Sequence, residues 1–281
     1  MARIPFGVSR LDQLISGGAP AGSVVLLAGD AGAGAREFLY TTGIMNGLAD
    51  ADADLFSLHY GDLDDAARRP EEIHYVSVTA TEPQVREEMG YVMEDQLVEA
   101  GAAPIRFTDL STEYFRLSPV PRGWYTEQVT DLQALGERRS VDSAFGALGD
   151  YLDDHASGNL VLIDSLTDFV SLVRDREREF GWSDLALLLQ GLKKASHRWR
   201  GLVLPLVNKE TLSTAELGML MEASDGTLLF EWESGGSERA RTLIVRQFRG
   251  VLSQLEADNI VRFETEIGDA GFDVSDVRKI R

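Results

Sequence analysis

Ser23-Val24-Val25-Leu26-Leu27-Ala28-Gly29-Asp30-Ala31-Gly32-Ala33-Gly34-Ala35-Arg36-Glu37 is the most informative stretch of the chain. Six residues of short, apolar, β-prone character run into a cluster of glycines, and helical spacing takes over from Arg36 to Leu48. That order predicts a buried strand, a tight loop and a helix. Glycines let a backbone curl until successive N–H groups and a helix N-terminus face an anion. A working phosphate loop reads G-x-x-x-x-G-K-[ST]. Gly29 and Gly34 hold the two outer positions, with Gly32 between them, but Ala35 stands where the Lys belongs and Arg36 where the Ser or Thr belongs. The ammonium that reaches the β- and γ-phosphates is therefore absent, and so is the hydroxyl that holds Mg²⁺. One charge-assisted hydrogen bond is worth about 1.5–3 kcal/mol, so losing both groups lowers nucleotide affinity or turnover by orders of magnitude. Arg36 could swing in to replace the charge, though not the metal ligand. On the loop alone a plain strand-to-helix turn explains the glycines equally well.

Outward from the loop, strands and helices alternate. Ile73–Thr79, Pro104–Thr108, Leu160–Ile163 and Gly201–Val207 read as strands; Glu82–Ala100, Ser140–His155 and Trp182–Arg198 read as helices. Thr227–Trp232, Thr242–Phe248 and Val261–Phe263 follow as strands separated by turns. Alternation of this kind predicts a mostly parallel sheet covered on both faces, and the closing run of strands predicts an antiparallel extension at one edge. The acidic stretch Asp50–Glu72 is expected to be an exposed insertion, and Ser111–Leu135 shows no assignable pattern. With no repeat, linker or low-complexity tract, residues 1–281 are expected to form a single domain.

Composition narrows the class. The 281 residues carry 27 Lys and Arg against 46 Asp and Glu, a formal net charge of −19, with 44% hydrophobic residues and no Cys. Absence of Cys excludes disulfides, thiolate metal sites and Cys nucleophiles. Only Lys193, Lys194, Lys209 and Lys279 are Lys; every other basic residue is Arg. An acidic surplus with few Lys is expected of a protein kept soluble in very high salt, where a Debye length of about 3 Å at 1 M screens self-repulsion. An acidic cytosolic protein from a GC-rich genome is the alternative. Strong negative charge argues against nucleic acid as a partner. No apolar run is long enough for a membrane span, and Met1-Ala2-Arg3-Ile4-Pro5-Phe6 lacks a signal-peptide core, so a cytoplasmic protein is expected.

Two flanking segments give the loop a context. Phe6-Gly7-Val8-Ser9-Arg10-Leu11-Asp12-Gln13-Leu14-Ile15 leads to Gly17-Gly18-Ala19-Pro20-Ala21-Gly22-Ser23, and Leu160-Val161-Leu162-Ile163-Asp164-Ser165-Leu166 is an apolar strand closed by a carboxylate. Together with the loop these resemble the KaiC/RadA branch of the RecA-like ATPases, whose opening reads "TGxxxLDxLLGGGxPxGS" and whose Walker B strand ends in Asp. The resemblance covers most of the chain outside Asp50–Glu72 and Ser111–Leu135. It implies a RecA-like α/β/α sandwich that binds ATP or ADP with Mg²⁺, Asp164 orienting the metal through water. It implies a polar sensor at Asn208 and a segment, Val245-Arg246-Gln247-Phe248-Arg249-Gly250, that reaches a neighbour's nucleotide through Arg249. It also implies assembly, in a ring or dimer, with itself or with a KaiC-like paralogue. Read without the resemblance, Asp164 caps the next turn, Asn208 is turn chemistry and Arg249 is a solvated strand residue.

The departures from that family matter as much. Its active members close the second strand with a Glu pair, as in "YVSxEE"; here Tyr75-Val76-Ser77-Val78 is followed by Thr79 and Ala80, and Glu82 is the nearest substitute. Gln247 stands at the position of the trans Lys. The resemblance, limited in this way, implies a regulatory or scaffolding protein with weak or no ATP hydrolysis. The alternatives are an active ATPase with a deviant loop and a recombination-mediator-like DNA-binding protein. The four His show no metal-ligand spacing and no Ser lies in a triad pattern. The alternating charges from Arg174 to Glu179 read as solvated, and His197-Arg198-Trp199-Arg200 as a helix C-terminus.

Overall fold

A computed structural model of the chain describes residues 2–116, 118–125, 142–173, 181–233, 240–251 and 260–279. The charged run from Arg174 to Glu179, residues 126–135 of the unassigned stretch, and Ser140 and Val141 of the expected helix lie outside the described residues.

Strands in chain order are β1 (Arg3–Ile4), β2 (Ala19–Pro20), β3 (Ser23–Gly29), β4 (Ile73–Ser77), β5 (Ile105–Asp109), β6 (Leu160–Asp164), β7 (Leu202–Asn208), β8 (Gly226–Glu233), β9 (Ala240–Phe248), β10 (Ile260–Gly268) and β11 (Gly271–Lys279). Helices are α1 (Ser9–Leu14), α2 (Ala35–Ala51), α3 (Ala53–His59), α4 (Glu82–Gly90), α5 (Asp95–Ala102), α6 (Ser111–Phe115), α7 (Asp142–His155), α8 (Leu166–Val173), α9 (Trp182–Trp199) and α10 (Thr214–Glu222). β1 and β2 form a small antiparallel pair, and the rest make one nine-stranded sheet ordered β11-β10-β9-β8-β3-β7-β6-β4-β5. From β5 to β8 every pairing is parallel; from β8 to β11 every pairing is antiparallel.

Both faces of the parallel part are covered because its central strands are apolar at nearly every position. Val25 and Leu27 of β3, with Leu162 of β6 and Leu204 of β7, share a core with Phe38, Ile44 and Leu97 of α2 and α5. Their neighbours Val24, Leu26, Ile163 and Val203 turn to the opposite core with Leu148, Phe169 and Leu189 of α7, α8 and α9. Alternate side chains of a strand point to opposite faces. Each fully buried Leu or Phe contributes about 1.5–3 kcal/mol, and this double layer is an α/β/α sandwich with an antiparallel extension at one edge.

Two stretches differ from the sequence expectation. The single helix expected over Glu82–Ala100 is two, α4 and α5, because Met93 bridges to Ala270 and the Glu94 N–H donates to the Asp269 carbonyl (2.9 Å). The break lets α5 turn onto α2, where a Cβ on Gly47 would lie 1.9 Å from the Gly101 carbonyl oxygen. The Asp50–Glu72 stretch contains α3, none of whose residues is buried, but its flanks are tied down. Asp52 caps α3, Asp50 pairs with Arg69 (2.7 Å), and Tyr60, Ala67 and Pro70 are buried.

Candidate functional site

The loop leaves β3 at Gly29 and enters α2 at Gly34, whose φ of 107° is left-handed and whose added Cβ would meet the Phe272 ring at 2.9 Å. Only glycine fits there without strain. The loop forms one wall of a cleft of about 280 Å³ outside the carboxyl ends of β3 and β7. Ligand sites of open α/β sheets lie at such strand ends. Gly29, Gly32, Ala35 and Arg36 line it from the loop and α2, Ser165 and Thr167 from the end of β6 onward, and Asn208 from β7.

Own-chain donors hold the loop's outer carbonyls. Trp232 Nε1 donates to the Ala31 carbonyl at 3.0 Å and Arg241 Nε to the Gly32 carbonyl at 3.1 Å, with the Arg241 guanidinium 4.7 Å from the Trp232 ring centroid. Lys209 lies beside them, its Nζ 2.6 Å from Glu231 Oε1 and 3.3 Å from Asp30 Oδ1.

Asp164 is buried at the end of β6, and both of its oxygens are engaged. Arg36 Nη2 donates to Oδ1 at 3.0 Å, and the Tyr75 hydroxyl donates to Oδ2 at 2.7 Å. Burial alone would pull the Arg36 guanidinium down, but Asp164 and then the Tyr40 and Tyr75 hydroxyls hold it above the usual arginine value. Burial, and then the Asp164 charge, keep the Tyr75 phenol well above its ordinary range. Both groups therefore remain protonated donors. Tyr40 stacks on Tyr75 with centroids 6.2 Å apart and donates to Glu88 Oε2 at 2.5 Å, which extends this polar chain to α4. Beyond Asp164, the Ser165 hydroxyl donates to Asp168 Oδ2 at 2.9 Å, and burial raises the Asp168 carboxyl above its usual value.

These residues do not fit a magnesium ion bound with nucleotide. Such a site needs a loop hydroxyl on the metal and a strand-end carboxylate free to hold it. Here an Arg occupies the hydroxyl's position and is itself bonded to the carboxylate. Ala35 lines the cleft and carries no charge.

Across 98% of this chain and 99% of the other, the structure is similar to the crystal structure of a KaiC-like protein from the hyperthermophilic archaeon Pyrococcus horikoshii, with a TM-score of 0.60 at 16% identity. This is a KaiC-like fold of the RecA type. No family model matches the sequence, and no curated protein matches it.

Within the KaiC-like fold the expected site residues separate into two groups. Gly29, Gly32, Ala35, Arg36 and Asn208 line one cleft, with Gly34 capping α2 beside it and Asp164 reached through Arg36. Asn208 also serves its own turn, its Oδ1 accepting from the Glu210 N–H at 2.9 Å. Glu82 lies apart from the lining, at the start of α4, where it pairs with Arg86 at 2.8 Å. Arg249 follows β9 with its side chain 70% exposed and 3.8 Å from Asp225. Gln247 donates to the Met221 carbonyl at 2.9 Å. Sequence reading missed Tyr75, Lys209, Trp232 and Arg241 as site residues. Lys193 donates to the Glu222 and Ser224 carbonyls, and α9 ends at Trp199 with Arg200 at φ 60°. Among the described residues, no cluster of three or more His, Asp or Glu is placed to hold a metal ion, and no helix is long and apolar enough to cross a membrane.

Proposed function

We propose that this chain is a regulatory or scaffolding protein of KaiC-like fold, a pseudo-ATPase that does not run magnesium-dependent ATP hydrolysis. The observation that carries the proposal is the Asp164 carboxylate, both of whose oxygens are bonded within the chain, one of them to the residue at the loop's hydroxyl position. The absence of an ammonium at Ala35 and of carboxylates at Thr79 and Ala80 supports the same reading of a degenerate Walker A loop. ATP or ADP then binds weakly or not at all. The protein works by assembly, with itself or with a KaiC-like paralogue in a ring or dimer, and the exposed Arg249 is the side chain it offers to a neighbour's nucleotide. The −19 charge and the scarcity of Lys support a cytoplasmic protein of a halophile with no nucleic-acid partner.

The test is calorimetry of ATP and ADP with Mg²⁺ in molar KCl, followed by a hydrolysis assay on the same preparation. The expected outcome is no binding below millimolar nucleotide and no turnover. Hydrolysis at an ordinary enzymatic rate that disappears in Asp164→Ala would refute the proposal. One observation favours a second reading, an ATPase with a deviant loop: Lys209 places an ammonium against Asp30 of the loop. Turnover lost in Lys209→Met would select it.

A further inference from the structure

In a working phosphate loop two cations share the anionic load, a lysine and a divalent metal, and the metal leans on a strand-end carboxylate. In this chain the strand-end carboxylate does not itself line the cleft; the side chain that touches both is Arg36. We infer that Arg36 is a resident cation, its guanidinium holding the Asp164 carboxylate in place of a divalent metal, so that the cleft is blind to magnesium. This inference rests on the proposed reading of the cleft as a degenerate nucleotide site.

Three features carry it. Arg36 is the second residue of α2, a buried helix fixed to the loop, so its guanidinium meets Asp164 as a tethered partner. A tethered group competes at an effective concentration of about millimolar or above, whereas a free ion must be supplied from solution. The guanidinium cannot lose its proton, so raising the pH does not free the carboxylate. The remaining oxygen is closed by Tyr75, a fully buried phenol whose hydroxyl donates to it. A metal reaching Asp164 would have to displace a charge-assisted bond on one oxygen and a buried hydroxyl on the other.

The experiment uses Mn²⁺ alone as the probe, on the full chain in molar KCl, where the ions condensed on an acidic surface are screened. Bound Mn²⁺ is counted by paramagnetic resonance for wild type, Arg36→Thr, and Arg36→Thr combined with Asp164→Asn. Arg36→Thr is expected to gain one site at least about tenfold tighter than any in wild type, as freeing one charge-assisted bond implies, and the double variant is expected to lose it. No gain in Arg36→Thr overturns the inference. A second readout needs no variant: the Tyr75 ring resonances of wild type stay sharp on adding stoichiometric Mn²⁺, and their broadening would overturn the inference as well. Failure here is separable from failure of the proposed function, because metal at Asp164 without ATP turnover sinks only the inference, whereas turnover sinks the pseudo-ATPase.

Discussion

Replacing Arg36 by Ala tests whether the ion pair is a structural member of the fold. The pair is neither surface nor core, with side-chain exposures of 49% for Arg36 and 10% for Asp164. Exposed pairs are worth about 0–1 kcal/mol, and breaking one end of a fully buried pair costs about 3–5 kcal/mol. A single charge-assisted hydrogen bond between those limits gives about 2 kcal/mol. One correction has the opposite sign. Arg36 places a positive charge in the first turn of α2, where the helix dipole disfavours it by about 0.3–1 kcal/mol, and Ala removes that penalty. The expected net loss is about 1.5 kcal/mol, or a fall in Tm of about 2–3 °C for a chain of this size. Denaturant unfolding in molar KCl measures it, and a double-mutant cycle with Asp164→Asn isolates the pair; the dipole contribution cancels in the cycle, so the expected coupling is about 2 kcal/mol. The amide introduced by Asp164→Asn keeps an oxygen for the Tyr75 hydroxyl, so the cycle reads the charge and the hydrogen bond that Arg36 makes and leaves the Tyr75 contact in place. A coupling below about 0.5 kcal/mol would refute the reasoning, since the Arg36–Asp164 contact would then be no stronger than a screened surface pair.

Other consequences are equally concrete. Gly47→Ala drives a Cβ to 1.9 Å from the Gly101 carbonyl oxygen at the α2–α5 crossing, and a loss of about 3 kcal/mol is expected from thermal unfolding, as for severe overpacking. Gly146→Ala, on α7 with nothing within 4 Å of the new Cβ, is expected to stabilise by about 0.5–1 kcal/mol. His74 is held below its usual value of 6.5 by burial, with Glu72 opposing and His155 and Arg106 adding to the depression, while its Nδ1 meets the Tyr151 hydroxyl at 2.7 Å. A base whose folded-state value is lowered stabilises the fold above its unfolded value and loses that stabilisation as pH falls. Wild type is therefore expected to lose stability below about pH 6.5 more steeply than His74→Gln, and parallel curves would exclude His74 as the cause.

The parallel layer was legible because it needs only local information. A strand buried on both faces reads as an almost unbroken apolar run, and Ser23–Ala28, Leu160–Ile163 and Gly201–Val207 do so, each bounded by glycine or a polar residue. The break between α4 and α5 was not legible, because its cause is a hairpin near the far end of the chain, as the Glu94–Asp269 bond shows. The short helices α8 and α10 fell below the length at which periodicity separates helix from strand. In the site, the missing Lys and hydroxyl were plain in the sequence. What could not be read was where Arg36 points: its partner lies 128 residues later in the chain. Tyr75 reads as an ordinary strand residue, and only the β4–β6 pairing brings its hydroxyl to Asp164. Trp232 and Arg241 carry no signal at all until β8 and β9 are placed beside the loop.

Those last two residues bear on why a phosphate-type loop keeps its shape without the groups that usually bind phosphate. The curl of such a loop turns N–H groups inward and carbonyls outward, and outward carbonyls need donors. Here the donors come from the antiparallel extension, Trp232 from β8 and Arg241 from β9, while Phe272 of β11 fills the space that any side chain at Gly34 would need. Asp164 is satisfied in the same way, by Arg36 and Tyr75. The outer loop carbonyls and the β6 carboxylate that a metal would engage are thus matched by side chains of this chain. A carboxylate so satisfied gains little from a metal, which would have to displace existing bonds to make new ones. The loop's shape is therefore held by the chain's own side chains and does not depend on a bound nucleotide, as the proposed scaffolding role requires.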